Sequence, residues 1–306
     1  MDFRWMPLGL LVLIWSFPVV AEEYDVYYLG GQSNMDGFGS NQDVPASLAS
    51  ELEGVFIFHG NSSPDGQPVD GRGQWAPLRA GHGYGFQADG KQNRYSDRFG
   101  AELTFAQRLR QLNPDKNIAI IKYSRGGTSI DQSSAGQFGC WEPDFSGGMG
   151  AGKGVNQYDH FLASVRYAMT DRDIDGDGEV DSLNPAGIVW MQGESDAFYS
   201  QEAADRYQRN LKRLMDLIRA TLRVDDLPVV VGRISDSGAG NKKIWPYGET
   251  VRKAQRAFVE QDLAARLVVS TDEYGYSDPW HYDSNGYLDL GREFAEAVNE
   301  IRSKHE

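Results

Sequence analysis

Six short runs of branched and aromatic residues set the terms for this chain. "DVYYL" at Asp25–Leu29, Val55–His59, "NIAIIKY" at Asn117–Tyr123, "GIVWM" at Gly187–Met191, "LPVVVGRI" at Leu227–Ile234 and Leu267–Ser270 are nearly continuous in apolar character. A strand open to water on one face alternates polar and apolar residues, so runs like these belong to a sheet covered on both faces. Amphipathic stretches lie between or after them, at Ala101–Leu112, Tyr158–Met169, Gln201–Leu222, Glu249–Ala265 and Gly286–Ser303. Strand and helix in alternation predict an α/β fold, a central parallel sheet between two layers of helices. No linker or repeat divides the chain, and we expect one domain over residues 22–306.

Two segments depart from that rhythm. Residues 60–98 are rich in Gly, Asp, Asn and Gln without a period, the mark of a binding loop or a disordered excursion. Within it, Tyr84 and Phe86 of "GHGYGFQADG" are able to stack on a sugar ring or to pin the loop. The first 21 residues, "MDFRWMPLGLLVLIWSFPVVA", combine Arg4, an apolar run over residues 8–20 and small residues at Val19 and Ala21. This is the pattern of a signal peptide cleaved after Ala21, and the apolar run is short of the ~20 residues of a membrane span. We expect export to the periplasm or the extracellular space.

The formal charge of −14 argues against nucleic acid or an anionic membrane as partner, since both would repel the protein. The single cysteine, Cys140, excludes an intramolecular disulfide. Its surroundings, "GQFGCWEPD", offer no base, and it reads as a packed small residue rather than a nucleophile.

In a parallel sheet the strand C-termini share one edge, and residues there meet in space. Four such places carry polar, glycine-rich sequence: "GGQSNM" with Ser33, "YSRGGTSI" with Gly126 and Gly127, "WMQGESDA" with Gln192 and Glu194, and "DPWHYDSNG" with Asp278 and His281. Together they hold the parts of a serine esterase. A serine hydroxyl attacks an ester only when a base takes its proton. Among five histidines, His281 has a carboxylate, Asp278, three positions before it, where it can fix the imidazole tautomer. His59, His82 and His160 have no such partner and are expected to be structural or solvent-facing. The oxyanion formed on attack needs donors aimed at it, and the Ser33 and Gly127 N–H groups and the Gln192 side-chain amide are the candidates. Glu194 competes as base or orienter, but is expected to tie neighbouring loops together.

The blocks "GQSNM", "RGGTS", "WMQGESDA" and "DPWHYDSNGYLDLG" resemble those of the SGNH hydrolase superfamily. They are most similar to the branch that groups carbohydrate esterase family six acetylxylan esterases with sialate O-acetylesterase-like proteins. The resemblance spans residues 25–291. It implies a three-layer α/β/α flavodoxin-like fold, Ser33 as nucleophile, Asp278 and His281 as its partners, and an oxyanion hole of Ser33, Gly127 and Gln192. It also implies deacetylation of a carbohydrate such as acetylxylan through an acetyl-enzyme, without a cofactor. O-acetylated sialic acid is the alternative substrate, and a non-catalytic carbohydrate-binding protein on the same fold is a further reading.

A separate acidic turn, "DRDIDGDGEVDS", matches the first half of a calcium loop. Asp173, Asp175 and Asp177 precede Gly178, Glu179 offers its backbone carbonyl, and Asp181 takes the ninth position. The twelfth is Asn184 rather than Glu, so the motif is incomplete, and a structural calcium ion is the expectation set against a solvated turn.

Overall fold

The computed structural model describes residues 21–62, 69–147 and 155–304. The expected signal peptide lies almost wholly outside the described residues. No helix among them is long and apolar enough to cross a membrane.

The described residues form a seven-stranded sheet of β1 (Glu23–Gly31), β2 (Val55–His59), β3 (Trp75–Pro77), β4 (Asn117–Ser124), β5 (Ser182–Met191), β6 (Val229–Gly232) and β7 (Ala265–Val268). Their spatial order is β7-β6-β5-β1-β4-β2-β3. All neighbours are parallel except the edge pair β2 and β3. With β2 and β3 set aside, the remaining five run in the doubly wound order 2-1-3-4-5 of the flavodoxin-like fold. The expected sheet is therefore present, with one antiparallel strand added at its edge from the segment read as irregular.

The helices are α1 (Ser33–Asp36), α2 (Glu102–Leu112), α3 (Gln157–Thr170), α4 (Glu194–Tyr199), α5 (Gln201–Leu222), α6 (Gly248–Gln261) and α7 (Ser284–Arg302). Side-chain alternation along β1 sorts the long ones into layers. Tyr27 meets Phe105 of α2 edge-on at 5.3 Å, and Val298 of α7 fills the space above Gly187. Gly291 lets α7 lie directly on α2, since a Cβ there would come within 2.2 Å of Ala101 O. On the opposite face Tyr28 packs on Phe161 of α3, the Tyr158 hydroxyl of α3 lies 3.4 Å from Thr221 of α5, and Gln208 of α5 bonds Gln261 of α6. Helix α5 places Leu211, Leu214, Met215, Ile218 and Leu222 on one buried stripe and is N-capped by Ser200.

The strand register decides where chemistry can occur. Gly31 pairs with both Ser124 and Met191, and Met191 pairs with Gly232, so four strands end in line. β1 stands at the point where the winding direction reverses, the place where such sheets leave a crevice.

The described part of residues 60–98 is not a free excursion. Besides β3 it holds a short pair between Gln87–Ala88 and Asn93–Arg94, and Arg98–Phe99 pairs with Gly39–Ser40 just after the first strand. Trp75 donates its indole N–H to Ala168 O and Asp171 O at the end of α3. Pairings of two or three residues are too short to show a period in sequence.

Candidate active site

The chain leaves β1 through Gly31, whose φ of 144° and tight approach to Met191 O leave no room for a Cβ. It turns immediately into α1, so Ser33 sits where β1 ends, 9 % exposed. Gln32 N–H donates to Met191 O at 2.9 Å and fixes this turn to the end of β5. A Cβ on Gly126 would come within 3.2 Å of Ser33 Cβ, so the turn after β4 lies against the serine.

That turn, "SRGGTS", is held from several sides. Arg125 N–H donates to Gly31 O, Thr128 Oγ1 donates to Arg125 O, and the Trp141 indole donates to Thr128 Oγ1. The Gly126 N–H bonds the Asp36 carboxylate. Gly127 then adopts φ 71° with Phe138 directly beside it, a conformation and a space suited to glycine. Among the described residues neither the Ser33 nor the Gly127 N–H has a hydrogen-bond partner. Burial raises the Asp36 carboxyl above its ordinary range, against the pull of Ser124, Lys122, Arg125 and Gly126.

Asp278 and His281 form a closed turn. Asp278 Oδ2 lies 2.7 Å from His281 Nδ1, while Oδ1 accepts the Trp280 and His281 N–H groups at 2.7 and 2.9 Å. Burial opposes ionisation of Asp278, but the bonds from His281 and Trp280 outweigh it and hold the carboxyl below its usual range. With Nδ1–H directed at a carboxylate, Nε2 is the nitrogen left to accept a proton.

Asn34 joins this turn to Ser33. Its Nδ2 donates to Glu194 Oε1 at 2.7 Å and to Trp280 O at 3.2 Å, across 246 positions of sequence. Its Oδ1 accepts from the Tyr287 hydroxyl at 2.8 Å and from Tyr282 N–H at 3.4 Å. The residue next to Ser33 thus grips both neighbours of His281. The role of Asn34 was not read from sequence, although it stands inside "GQSNM".

Glu194, 1 % exposed, is a brace: besides Asn34, the Gln32 amide reaches it at 3.1 Å when its nitrogen is turned toward the carboxylate. Burial raises its pKa. The expectation for Gln192 requires correction. The side chain is completely buried, and Nε2 donates to Asp196 Oδ2 at 2.7 Å and to Thr128 O at 3.1 Å. Both amide hydrogens are spent inside the fold, so Gln192 offers no oxyanion donor here. Its partner Asp196, also missed in sequence, accepts the Ile130 and Asp131 N–H groups at 3.0 Å and so anchors the loop that follows Gly127. Burial pushes the Asp196 carboxyl up to about 7.

The remaining candidates are structural. His59 and His82 are buried, with Nδ1 atoms 3.4 Å apart, and His160 is buried against Tyr123. Cys140 is buried and its thiol pushed up to about 12 by desolvation, so the thiolate is not available as a nucleophile. Phe86 lies flat on His59 at 4.1 Å and pins its loop, whereas Tyr84 is 55 % exposed beside the site. A cavity of about 430 Å³ is lined by Asp36 of α1, by Ser124 and Arg125 at the end of β4, and by Asn61, Tyr84 and Arg94 from residues 60–98.

In the acidic turn, Asp173, Asp175 and Asp177 bring one carboxylate oxygen each within 4.8 Å of one another. Asp173 Oδ1 is buried without a partner, an arrangement that fits a cation. Asp181 does not join them. It is 1 % exposed, and its carboxylate accepts the Ile174 and Glu22 N–H groups, closing the turn from behind. Glu179 is exposed and bonds Asp177 through its backbone N–H.

A family model described as carbohydrate esterase, sialic acid-specific acetylesterase, matches residues 23–300. No curated protein sequence matches the chain. Among solved structures the chain is similar to a protein from Arabidopsis thaliana, at 21 % identity over 91 % of this chain and 98 % of that one, with a TM-score of 0.58. It is also similar to a carbohydrate acetylesterase from Xanthomonas citri, at 19 % identity over 92 % of this chain and 57 % of that one, TM-score 0.62. The structure of NanS aligns at 15 % identity over 94 % of this chain and all of that one, TM-score 0.57. These likenesses concern the fold, while the family match covers nearly every described residue: the chain belongs to the sialic acid-specific acetylesterase family of carbohydrate esterases and is a carboxylic ester hydrolase.

Proposed function

We propose that this enzyme removes acetyl groups from an O-acetylated carbohydrate, a polysaccharide such as acetylxylan, by a serine mechanism through an acetyl-enzyme. The observation that carries the reading is the 2.7 Å contact between Asp278 and His281 in a turn bound directly to Asn34, the residue beside Ser33. Ser33 Oγ attacks the acetyl carbonyl carbon as His281 Nε2 takes its proton, and the negative charge passes to the carbonyl oxygen. The Ser33 and Gly127 N–H groups are the donors for that oxygen. His281 then gives its proton to the sugar oxygen as the C–O bond breaks. Water, deprotonated by His281, attacks the acetyl carbon, the bond to Ser33 Oγ breaks as His281 returns the proton to that oxygen, and acetate leaves. The steps use no cofactor.

The test is Ser33→Ala, expected to abolish hydrolysis of p-nitrophenyl acetate with an unchanged circular dichroism spectrum. Full activity in that variant would sink the mechanism. Release of acetate from acetylxylan, compared with release from O-acetylated sialic acids, separates the two substrate classes. The family description supports the sialate reading, and sialate turnover without xylan turnover would replace ours.

The pattern of the first 21 residues supports export, and sequencing the secreted protein should find Glu22 at its N-terminus. The acidic turn supports a structural calcium ion on Asp173, Asp175 and Asp177. Calcium should raise the melting temperature and EDTA lower it, and no change with either would remove the ion.

A further inference from the structure

The ring of Phe38 lies face to face on the His281 imidazole, with centroids 3.6 Å apart and planes 4° from parallel. Tyr84 stacks on Phe38 in turn, at 4.6 Å and 19°. The backbones that carry both rings are held by hydrogen bonds. Arg98 donates to Phe38 O at 2.9 Å, and Tyr84 N–H donates to Gly37 O at 2.8 Å. Phe38 follows Ser33 by five positions, so one segment carries the candidate nucleophile and a ring set on the candidate base.

We propose that Phe38 is a positioning residue for His281, holding the imidazole in its catalytic orientation and stabilising the imidazolium through the face of its ring. The proposal rests on the serine mechanism above. In that mechanism His281 becomes cationic twice, in acylation and again in deacylation. The Asp278 carboxylate meets this charge in the plane of the imidazole, and a contact at Nδ1 alone leaves the ring free to swing about the hydrogen bond. A parallel aromatic face removes that freedom, and its negative quadrupole attracts a cation placed over it. Trp280, 6.5 Å away and 66° from parallel, presents no such face. Tyr84 backs the stack from residues 60–98, so the segment that lines the cavity beside Asp36 also supports the candidate base.

The experiment compares Phe38→Leu, Phe38→Tyr and Ser33→Ala, using p-nitrophenyl acetate and thermal melting. Phe38→Leu keeps apolar bulk but removes the π face, and should lower kcat about tenfold with KM within twofold, on the scale of a partly desolvated cation–π contact. Phe38→Tyr keeps the face and should retain at least half of kcat. Unchanged kcat in Phe38→Leu, an equal loss in both Phe38 variants, or a rise in KM in place of the fall in kcat overturns the proposal. If Phe38→Leu does not fold, Phe38→Tyr decides: a tenfold fall in kcat in a folded Phe38→Tyr enzyme overturns the proposal and retained kcat supports it. Full activity in Ser33→Ala would instead remove the mechanism beneath it, so the two failures are told apart.

Discussion

Replacing Asn34 by alanine should damage stability and turnover together, because one amide holds both. The variant deprives the buried Glu194 carboxylate of its 2.7 Å donor and Trp280 O of its donor, and leaves the Tyr287 hydroxyl without its acceptor. A hydrogen bond to a charged group contributes about 1.5–3 kcal/mol, and an orphaned buried polar group costs about 1–3 kcal/mol. The two overlap, since water admitted to the space satisfies part of the loss, and we expect about 3 kcal/mol of destabilisation. At roughly 2–4 °C per kcal/mol for a chain of about this size, the melting temperature falls by about 6–12 °C. The His281 turn loses its tie to the segment of Ser33, and a displacement of the order of 1 Å lowers kcat about 100-fold. Urea unfolding and p-nitrophenyl acetate turnover below the melting range measure the two effects. Destabilisation under 1 kcal/mol with kcat within twofold of the parent would refute the reasoning. The isosteric Asn34→Asp sets a second carboxyl against Glu194, and should be less damaging at pH 5 than at pH 8, because a proton on either acid restores the donor.

Gly127→Ala must place a methyl within 2.7 Å of Phe138 at φ 71°, which turns the N–H aside. kcat should fall by about 10²-fold with little change in KM, the size of losing one oxyanion donor. Lys122 and Glu102 form a completely buried ion pair at 2.8 Å, and Lys122 Nζ also donates to Asp36 O and His82 O. Lys122→Met should cost about 3–5 kcal/mol by stranding Glu102, and Lys122→Met combined with Glu102→Leu should recover part of it in urea unfolding. Asp196 gives a pH dependence of defined sign. Its folded pKa of about 7 lies above the ordinary 3.8, so between those values the native state alone holds the proton. This group's contribution is fully present below pH 3.8 and declines as pH rises toward 7, by at most about 1.4 kcal/mol per pH unit. The stability difference between the parent and Asp196→Asn should therefore shrink from pH 4 to pH 7, and a difference that grows would contradict the assignment.

The sequence by itself determined the six parallel strands of the sheet, because a strand buried on both faces must be apolar throughout, as "NIAIIKY" and "GIVWM" are. It also marked three of the strand ends, because turns at Gly31 and Gly127 require glycine and leave a polar, glycine-rich trace, whereas Asp278 and His281 lie in a loop beyond the last strand, Ala265–Val268. The pairing of Asp278 with His281 was legible for the same reason, being local to one turn. Only the tertiary structure decided what distant residues do to one another. Gln192 occupies a strand end as expected, yet its amide is consumed by Thr128 O and Asp196, partners set by packing rather than by spacing. Asp181 stands at the ninth position of the acidic turn but faces inward to the Ile174 and Glu22 N–H groups. Asn34 and Phe38 look like ordinary residues of a turn until the fold lays the His281 loop against them. The bonds that define the site cross up to 253 positions, and no local pattern encodes which side chains will meet across that distance.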